Sequence, residues 1–357
     1  MKFPALINFE QALAEFANFD CIIDVRSPGE FAEDHIPGAI NCPVLNDDER
    51  IRVGTCYKQV GAFEAKKIGA GLVAKNIAHQ LELHFLEKPK TWRPLIYCWR
   101  GGNRSGSMAH IFAKIGWPAF QLEGGYKSYR HFINQDLPRL AASFQWQVIC
   151  GPTGSCKSRL LEALDSIGSQ VLNLEQFAQH RGSVLGDLPL QGQPSQKHFE
   201  TRVWNKLRSF DNRRPVYVEA ESKKVGNLRI PDVLMEHMRQ GDCLEVELDL
   251  EHRIDFLCED YQHFVNDHEA LKTQLGFLTQ LHGKARIQTW IDLIDQGNLK
   301  ELVRLLLQRH YDPAYQKGSI KNFVKFAQRY CYPLANHQTS NLLELAHKIS
   351  VNEVVEQ

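Results

Sequence analysis

Residues 97–105 read Tyr97-Cys98-Trp99-Arg100-Gly101-Gly102-Asn103-Arg104-Ser105, and this stretch decides how the N-terminal part of the chain folds. A hydrophobic run, Pro94 to Tyr97, predicts a strand that ends at Cys98, and a helical pattern begins at Arg104. The two glycines allow backbone angles that a Cβ would forbid, so the loop can curl round its own cysteine. Its N–H groups and the positive end of the following helix favour a thiolate, the reactive form of cysteine. We therefore predict a nucleophile beside an anion site; the alternative is a buried structural cysteine.

The overall composition is that of a globular protein with about two domains. The chain has 357 residues, of which 43% are hydrophobic and 24% charged, and its formal net charge is zero. This balance argues against a general polyanion binder, although a local basic patch would not show in the sum. The nine cysteines are scattered, so they predict neither a disulfide framework nor a metal site. No stretch has the pattern of a signal peptide or a membrane span, so we expect a cytoplasmic protein.

A second glycine-rich motif follows a predicted strand, Trp146 to Cys150, and precedes a helix that we expect to start near Arg159. It is typical of a phosphate-binding P-loop, whose backbone amides cradle phosphates while a lysine bridges them and a hydroxyl holds a magnesium ion. Its residues are Gly151, Pro152, Thr153, Gly154, Ser155, Cys156, Lys157 and Ser158. Cys156 stands where glycine is usual, and the alternative is a chance turn. Glu219 and Glu221, after the buried run Val216 to Val218, are candidates for the acidic magnesium partner; a solvated strand end is the alternative.

Four ordered motifs extend the interpretation of the N-terminal part. They are Asp24-Val25-Arg26, the turn His35-Ile36-Pro37-Gly38-Ala39, the cysteine loop, and Glu123-Gly124-Gly125. Together they resemble the rhodanese domain, over roughly residues 5–135. The resemblance implies a cysteine that carries sulfur as a persulfide and a structural role for the Asp24/Arg26 pair. Many rhodaneses have one residue fewer between the cysteine and the arginine. The longer spacing here is that of cysteine phosphatases, so we predict that Cys98 to Arg104 encircles a tetrahedral, phosphate-like oxyanion.

The predicted fold class is α/β: a rhodanese-like parallel-sheet domain followed by a P-loop NTPase-like α/β domain with a helical C-terminal part. Strands that alternate with helices favour parallel sheets in both halves. We expect the domains to span residues 1–138 and 139–357. The leucine stripes at Leu271, Leu275 and Leu278, and at Leu302, Leu305 and Leu306, indicate helix faces that pack in a core.

The union of the two domains resembles the tRNA 2-selenouridine synthase family over nearly the whole chain. Supporting stretches are Asn46 to Arg50, Val53 to Lys58, Glu123 to Lys127, Glu175 with His180 to Ser183, and Tyr311 to Pro313. The resemblance implies a transferase that replaces sulfur by selenium in 2-thiouridine at the tRNA wobble position. Selenophosphate would be the donor, and geranyl diphosphate would first geranylate the sulfur. Cys98 would then be the selenium-bearing nucleophile and the P-loop a diphosphate site. No tightly bound cofactor is implied, apart from magnesium as a candidate; a selenophosphate-supplying enzyme is a candidate partner.

Several side chains are candidates for RNA contact, because single-stranded bases stack on aromatic rings. Tyr57, Trp99 and Tyr126 are candidates for stacking, with packing as the alternative. His180 and Arg181 are candidates for phosphate or RNA contact, with a surface cap as the alternative. Two other functions compete: a cysteine phosphatase or sulfurtransferase fused to a nucleotide-binding domain, and a regulatory module with an inert rhodanese fold. An intact Cys98/Arg104 loop speaks against the inert module.

Overall fold

A computed structural model describes residues 3–183, 186, 192–262 and 267–355 of the chain. Their contacts divide the chain into two compact units, Met1–Leu137 and Pro138–Gln357. Each unit is built on a parallel sheet, which confirms the predicted α/β class. None of the helices in the described part of the chain is both long and apolar enough to cross a membrane.

The first unit is a five-stranded sheet with helices on its faces. Its elements are β1 (Ala5–Ile7), α1 (Phe9–Ala14), a 3-10 turn (Phe16–Asn18), β2 (Cys21–Asp24), α2 (Pro28–Glu33), β3 (Ala39–Asn41), α3 (Asp47–Gln59), α4 (Ala62–His84), β4 (Pro94–Tyr97), α5 (Asn103–Ile115) and β5 (Phe120–Leu122). The strand order is β1-β5-β4-β2-β3, and all the pairings are parallel. A further helix, α6 (Gly125–Ser143), begins in this unit and continues into the second.

The position of β4 explains why the cysteine loop lies where it does. All four residues of β4 are buried because the strand is central, as its continuous hydrophobic run predicts. The chain order runs outward from β4 to β5 on one side and from β2 to β3 on the other. Loops at the carboxyl ends of strands beside such a switch point form the usual binding crevice of parallel sheets. Cys98 follows β4 directly and therefore lies at this crevice.

The second unit is also built on a five-stranded parallel sheet. Its first part contains β6 (Trp146–Cys150), α7 (Lys157–Ser166), β7 (Gln170–Leu172), α8 (Leu174–Ala178), α9 (Gln196–Leu207), β8 (Val216–Glu219), β9 (Lys224–Val225), β10 (Leu228–Arg229), α10 (Asp232–Gln240), β11 (Asp242–Glu247) and α11 (Leu250–Asp260). The sheet order is β12-β11-β6-β8-β7, with β12 defined below, while β9 and β10 form a separate antiparallel pair. The P-loop follows β6, the central strand, and α7 begins at Lys157, two residues before the expected start.

The C-terminal part is largely helical, as predicted. It contains α12 (His268–Gly276), α13 (Thr279–His282), α14 (Lys284–Asp295), α15 (Leu299–Leu306), a π-helical segment (Leu307–Tyr311), α16 (Asp312–Asn322), a 3-10 turn (Phe326–Gln328), β12 (Tyr330–Pro333) and α17 (Thr339–Val355). The predicted leucine stripes form a core cluster with Trp290, which confirms their packing role. A larger cluster buries α7 and α17 against the sheet.

Candidate active sites

The Cys98 side chain lies in a polar setting although it is only 2% exposed. The Ser105 hydroxyl donates to its sulfur at 3.3 Å, and the thiol itself lies 3.6 Å from the carbonyl oxygen of Arg100. Gly101 and Gly102 have φ angles of +70° and +74°, so both occupy the left-handed region that favours glycine. Helix α5 begins at Asn103, a few residues after Cys98, so the positive end of the helix dipole belongs to the same loop as the thiol. The loop therefore combines a nucleophile with donors for an anion.

The turn at Glu123–Tyr126 supports the cysteine loop from behind. The N–H of Tyr126 donates to the carbonyl oxygen of Cys98 at 2.8 Å, and the N–H of Lys127 donates to that of Trp99 at 3.0 Å. A Cβ on Gly125 would lie 2.2 Å from the oxygen of Cys98, which no side chain can tolerate. The last rhodanese-like motif thus fixes the backbone at the nucleophile.

Arg104 is held by a carboxylate that the sequence analysis did not predict. Its Nη1 donates to Oε2 of Glu30 at 2.8 Å, and Arg50 approaches the same oxygen at 3.8 Å. Burial on its own raises the pKa of Glu30, but the hydrogen bonds from Arg104 outweigh it, so the pKa lies below its ordinary value. The predicted anion-binding arginine is thus positioned through a residue of α2.

Beneath the loop, Asp24 and Arg26 form a buried ion pair with Nη2–Oδ2 at 2.6 Å, as expected of a structural pair. The guanidinium stacks over the ring of Tyr126 at 4.0 Å, and the Tyr126 hydroxyl donates to Asp34 at 2.7 Å. Tyr126 is only 2% exposed. The prediction that Tyr126 stacks on an RNA base is therefore wrong in this structure, because both its ring and its hydroxyl are used in the core.

The other candidates in the first unit are more accessible. Trp99 is half-buried, with its ring centroid 5.3 Å from that of Tyr126, whereas Arg100, Gly101 and Asn103 are exposed. Tyr57 lies on α3 with 59% of its surface exposed. Tyr57 and Trp99 thus remain candidates for base stacking.

The P-loop backbone has the tight geometry that its sequence predicts. Gly151 and Gly154 have φ angles of +147° and +83°. A Cβ on Gly151 would lie 2.4 Å from the Ser155 hydroxyl. Cys156, the unusual position, adopts φ of 64° and ψ of 23° in the left-handed region, and its thiol is buried in the core of the unit. Burial raises the pKa of the Cys156 thiol to about 12, so this cysteine is not a second nucleophile.

The functional side chains of the P-loop point toward acidic residues. Lys157 Nζ lies 3.4 Å from Glu219 Oε1 and donates to the carbonyl oxygen of Pro152 at 3.2 Å. The Ser158 hydroxyl lies 3.0 Å from a carboxylate oxygen of Glu219 and 3.0 Å from one of Glu175. Glu219 thus lies beside the hydroxyl that would hold magnesium, as its place at the end of β8 predicted.

Three carboxylates meet at this point, since oxygens of Glu175, Glu219 and Glu221 all lie within 4.8 Å of one another. Burial, together with the charge of Glu219, raises the pKa of Glu175 to about 8. Burial and repulsion from Glu219 and Glu175 raise the pKa of Glu221 well above its ordinary value. Such an oxygen-rich, mutually repelling set suits a hard cation. Glu175 follows β7, the strand next to β8, so only the strand order brings it here.

His180 and Arg181 lie in the same cavity as the P-loop. His180 Nδ1 accepts a hydrogen bond from the N–H of Gly182 at 3.0 Å, and Arg181 pairs with Asp260 at 2.6 Å. Arg253, which the sequence analysis missed, donates from Nη2 to the carbonyl oxygen of Thr153 at 2.7 Å. It thereby anchors the tip of the P-loop.

The P-loop cavity has a volume of about 500 Å³ and carries both polar and apolar groups. A second, strongly apolar pocket adjoins it and shares part of its wall. The shared residues are Thr153, Ser183, Leu257, Tyr261 and Tyr311, and the apolar pocket continues along Leu271, Leu299, Leu302, Val303, Leu306 and Leu307. The P-loop cavity and the apolar recess therefore share a wall.

Comparison with known proteins agrees with this geometry. The chain matches two family models, "tRNA 2-selenouridine synthase AAA domain" over residues 144–330 and "Rhodanese-like domain" over residues 8–131. The two matched segments contain the P-loop and the cysteine loop, respectively.

Curated relatives match across both domains. A protein of Nitrosomonas europaea named tRNA 2-selenouridine synthase is 36% identical over 71% of this chain and 67% of its own length. Proteins of the same name from Aeromonas salmonicida and Alcanivorax borkumensis are each 33% identical over 85% of this chain, and over 89% and 90% of their own lengths. With a phosphate cradle and a cysteine loop in the matched domains, the chain belongs to the tRNA 2-selenouridine synthase family.

Proposed function

We propose that this protein is a tRNA-modifying transferase that exchanges sulfur for selenium in 2-thiouridine at the wobble position, using geranyl diphosphate and selenophosphate. The names of its relatives support the overall reaction. The observation that carries the two-substrate scheme is the P-loop cavity with its adjoining apolar pocket. We place the activity in the cytoplasm, where tRNA is available.

The P-loop cavity and the apolar pocket suit the two ends of a prenyl diphosphate. The P-loop amides and Lys157 would bind the diphosphate, and the leucine-rich recess would bind the hydrocarbon tail. The recess measures about 70 Å³, so we expect its side chains to move apart as the tail enters. In the first step the sulfur of 2-thiouridine attacks the first carbon of the geranyl group. The carbon–oxygen bond breaks and diphosphate leaves.

The cysteine loop suits the second substrate, selenophosphate, which is a tetrahedral oxyanion. Arg104 and the loop amides would bind its oxygens, because arginine forms paired hydrogen bonds with such groups. We assign the role of nucleophile to Cys98, whose sulfur receives a hydrogen bond from Ser105. Its thiolate attacks the phosphorus of selenophosphate, the phosphorus–selenium bond breaks, and selenide leaves. Selenide then attacks the second carbon of the uracil ring and the geranyl thiolate leaves, while water hydrolyses the phosphocysteine and releases phosphate.

The carboxylate cluster fits a magnesium ion beside the diphosphate. Ser158, Glu175 and Glu219 would hold it, since their oxygens already converge. The pKa of Glu175 is raised by burial and by the charge of Glu219, and a bound cation would offset both effects. When bound, the ion supplies charge stabilisation for a leaving diphosphate. Lys157, whose Nζ lies 3.4 Å from Glu219, would add its positive charge at the same cradle.

Mass spectrometry of nucleosides from a thiolated anticodon stem-loop tests the proposal. With purified protein, geranyl diphosphate alone should yield the S-geranyl nucleoside, and added selenophosphate should yield 2-selenouridine. Hydrolysis of a generic phosphoester with no change in the nucleoside would instead favour a cysteine phosphatase.

A variant pair tests the apolar recess separately. Val303→Phe narrows the pocket and should shift preference from geranyl toward dimethylallyl diphosphate. The matched control, Leu305→Phe, changes a neighbouring core residue that does not line the recess. An equal shift in substrate preference in both variants would show that the recess does not bind the hydrocarbon tail.

A further inference from the structure

A third cavity, of about 660 Å³, includes Pro152 of the P-loop in its lining and has no role in the scheme above. It is bounded by Pro152 of the P-loop, by α16 and by the turn that follows it. Its polar groups include Glu245, Tyr315 and Arg329, and its apolar wall includes Ile320 and Phe326. Tyr315 also lines the P-loop cavity, so the two spaces meet at one side chain.

The polar groups of the third cavity are already ordered by one another. The Tyr315 hydroxyl donates to Glu245 Oε1 at 3.0 Å, and Arg329 pairs with the other oxygen of the same carboxylate. The Arg329 guanidinium lies 4.6 Å above the ring of Phe326. A second carboxylate on the lining, Asp312, is paired with Arg253 at 2.6 Å. Both acids are thus neutralised by arginines.

The segment beside the third cavity is strongly basic although the whole chain has no net charge. Residues 313–329 contain Lys317, Lys321, Lys325 and Arg329 and no acidic residue. Lys325 pairs with Asp242 at 2.7 Å, whereas Lys317 and Lys321 are exposed and form no ion pair among the described residues. Large apolar side chains lie between them, with Ile320 72% and Val324 77% exposed.

This combination matches the chemistry of a single-stranded nucleic acid. Cationic side chains attract phosphates, while apolar and aromatic surface accepts an unstacked base. A protein partner would account for the exposed apolar residues, but it would not account for the two exposed lysines that form no ion pair. The ordered Glu245 and Tyr315 can accept hydrogen bonds from the N–H edge of a base.

We infer that the third cavity receives an unpaired nucleotide of the RNA substrate, with its phosphates facing Lys317 and Lys321. This inference rests on the proposed function and adds to it the surface that presents the base. Because Tyr315 borders both cavities, a base held here lies next to the diphosphate cradle.

Two measurements test this inference on the full chain. The first is the affinity for a thiolated anticodon stem-loop, by fluorescence anisotropy over a series of salt concentrations. The double variant Lys317→Glu, Lys321→Glu should bind about tenfold or more weakly, and its salt slope should fall by about 1.4, as expected for two contacts to single-stranded phosphates. The control, Lys223→Glu, Lys284→Glu, reverses two exposed lysines of the same unit that lie outside the basic segment 313–329.

The second measurement is photo-crosslinking of stem-loops that carry 4-thiouridine in the loop, with the peptides mapped by mass spectrometry. Crosslinks within residues 315–329 of the parent protein support the inference and do not depend on any variant. Equal RNA affinity of the double variant and its control, with crosslinks confined to other segments, would overturn it and assign this surface to another partner. Failure of the parent protein to bind or modify the RNA would instead remove the proposed function itself.

Discussion

Arg104 and Glu30 are joined by two hydrogen bonds, from Nη1 to Oε2 at 2.8 Å and from Nη2 to Oε1 at 3.4 Å. The pair links the start of α5 to α2 across 74 residues of sequence. A guanidinium has five N–H donors, so binding to Glu30 leaves others for a substrate oxyanion. Glu30 therefore fixes the direction in which Arg104 presents its remaining donors.

Replacing this arginine tests whether the planar fork matters. We expect Arg104→Lys to lower kcat/KM for selenium transfer by about tenfold or more, equivalent to at least ~1.4 kcal/mol of transition-state stabilisation. Lysine keeps the charge but cannot bind Glu30 and an oxyanion with the same geometry. Glu30→Gln should cause a smaller loss, mainly in KM for selenophosphate. An Arg104→Lys enzyme within about twofold of the parent would show that only charge is needed.

Cys98→Ser should abolish selenium transfer while the fold is retained. The hydroxyl is close to the thiol in size and can still accept the hydrogen bond from Ser105, but it is far less nucleophilic. Nucleoside mass spectrometry measures the product, and thermal unfolding checks the fold. The matched control is Cys21→Ser, a half-buried cysteine of β2, which should stay active. Substantial 2-selenouridine from Cys98→Ser would refute the assignment of the nucleophile.

Lys157→Ala should block geranylation, because this lysine supplies the positive charge at the phosphate cradle. If the P-loop serves only that step, then RNA that is geranylated beforehand should restore selenium incorporation. The control is Lys284→Ala, an exposed lysine of α14. A variant that still geranylates at the parental rate would contradict the role, and failure of the rescue would place the P-loop in both steps.

The left-handed backbone of Cys156 leads to a comparison of two substitutions. Cys156→Ala keeps the unfavourable φ of 64° and loses the buried sulfur, whereas Cys156→Gly relieves the backbone strain. We expect the glycine variant to be more stable than the alanine variant by about 1 kcal/mol in free energy of unfolding. Titration of geranyl diphosphate should show little change for glycine. An alanine variant as stable as the glycine variant would mean that the backbone relaxes without cost.

The carboxylate cluster predicts a pH-dependent effect of magnesium. The pKa of Glu175 is raised from 4.5 to about 8, so the folded chain keeps a proton that the unfolded chain loses. This contribution to stability is complete below about 4.5 and is lost as the pH rises to about 8. Magnesium favours the ionised carboxylates, so its effect on the Tm should be largest above that pH.

Glu175→Gln should flatten this pH profile and reduce the stabilisation by magnesium. Glu236→Gln, an exposed acid of α10 outside the P-loop cavity, serves as the control and should behave as the parent. Thermal unfolding with and without magnesium at several pH values makes the comparison. A magnesium effect that does not depend on pH in the parent protein would argue against a cation at this cluster.

The sequence predicted local features of both units well. The structure has strands at Pro94–Tyr97 and Trp146–Cys150, where the hydrophobic runs predicted them. Central strands are buried on both faces, so they appear in the sequence as continuous hydrophobic runs. The two loops follow because glycine spacing and the neighbouring strand and helix determine them. Both are short-range properties of the chain.

The features that the sequence did not reveal depend on distant parts of the chain. Glu30 meets Arg104, and Glu175 meets Ser158, only because particular strands are neighbours in a sheet. Tyr126 was a candidate for base stacking with packing as the alternative, and an aromatic ring gives no local sign of whether it packs on a buried arginine. The apolar recess was likewise hidden, because leucines that line a cavity have the same helical spacing as leucines in a core.

The contact of Gly125 with the Cys98 carbonyl also limits how this protein can diverge. A Cβ at position 125 would lie 2.2 Å from that oxygen, at a φ of +57°. Any larger residue must therefore displace the backbone of the nucleophile even when the cysteine, serine and arginine of the loop are unchanged. In a library of natural or randomised relatives, chains with glycine at position 125 should retain selenium transfer. Chains with a larger residue there should lose it, even when they keep the cysteine, serine and arginine of the loop. A glycine outside the reacting groups thus becomes a marker of catalytic competence.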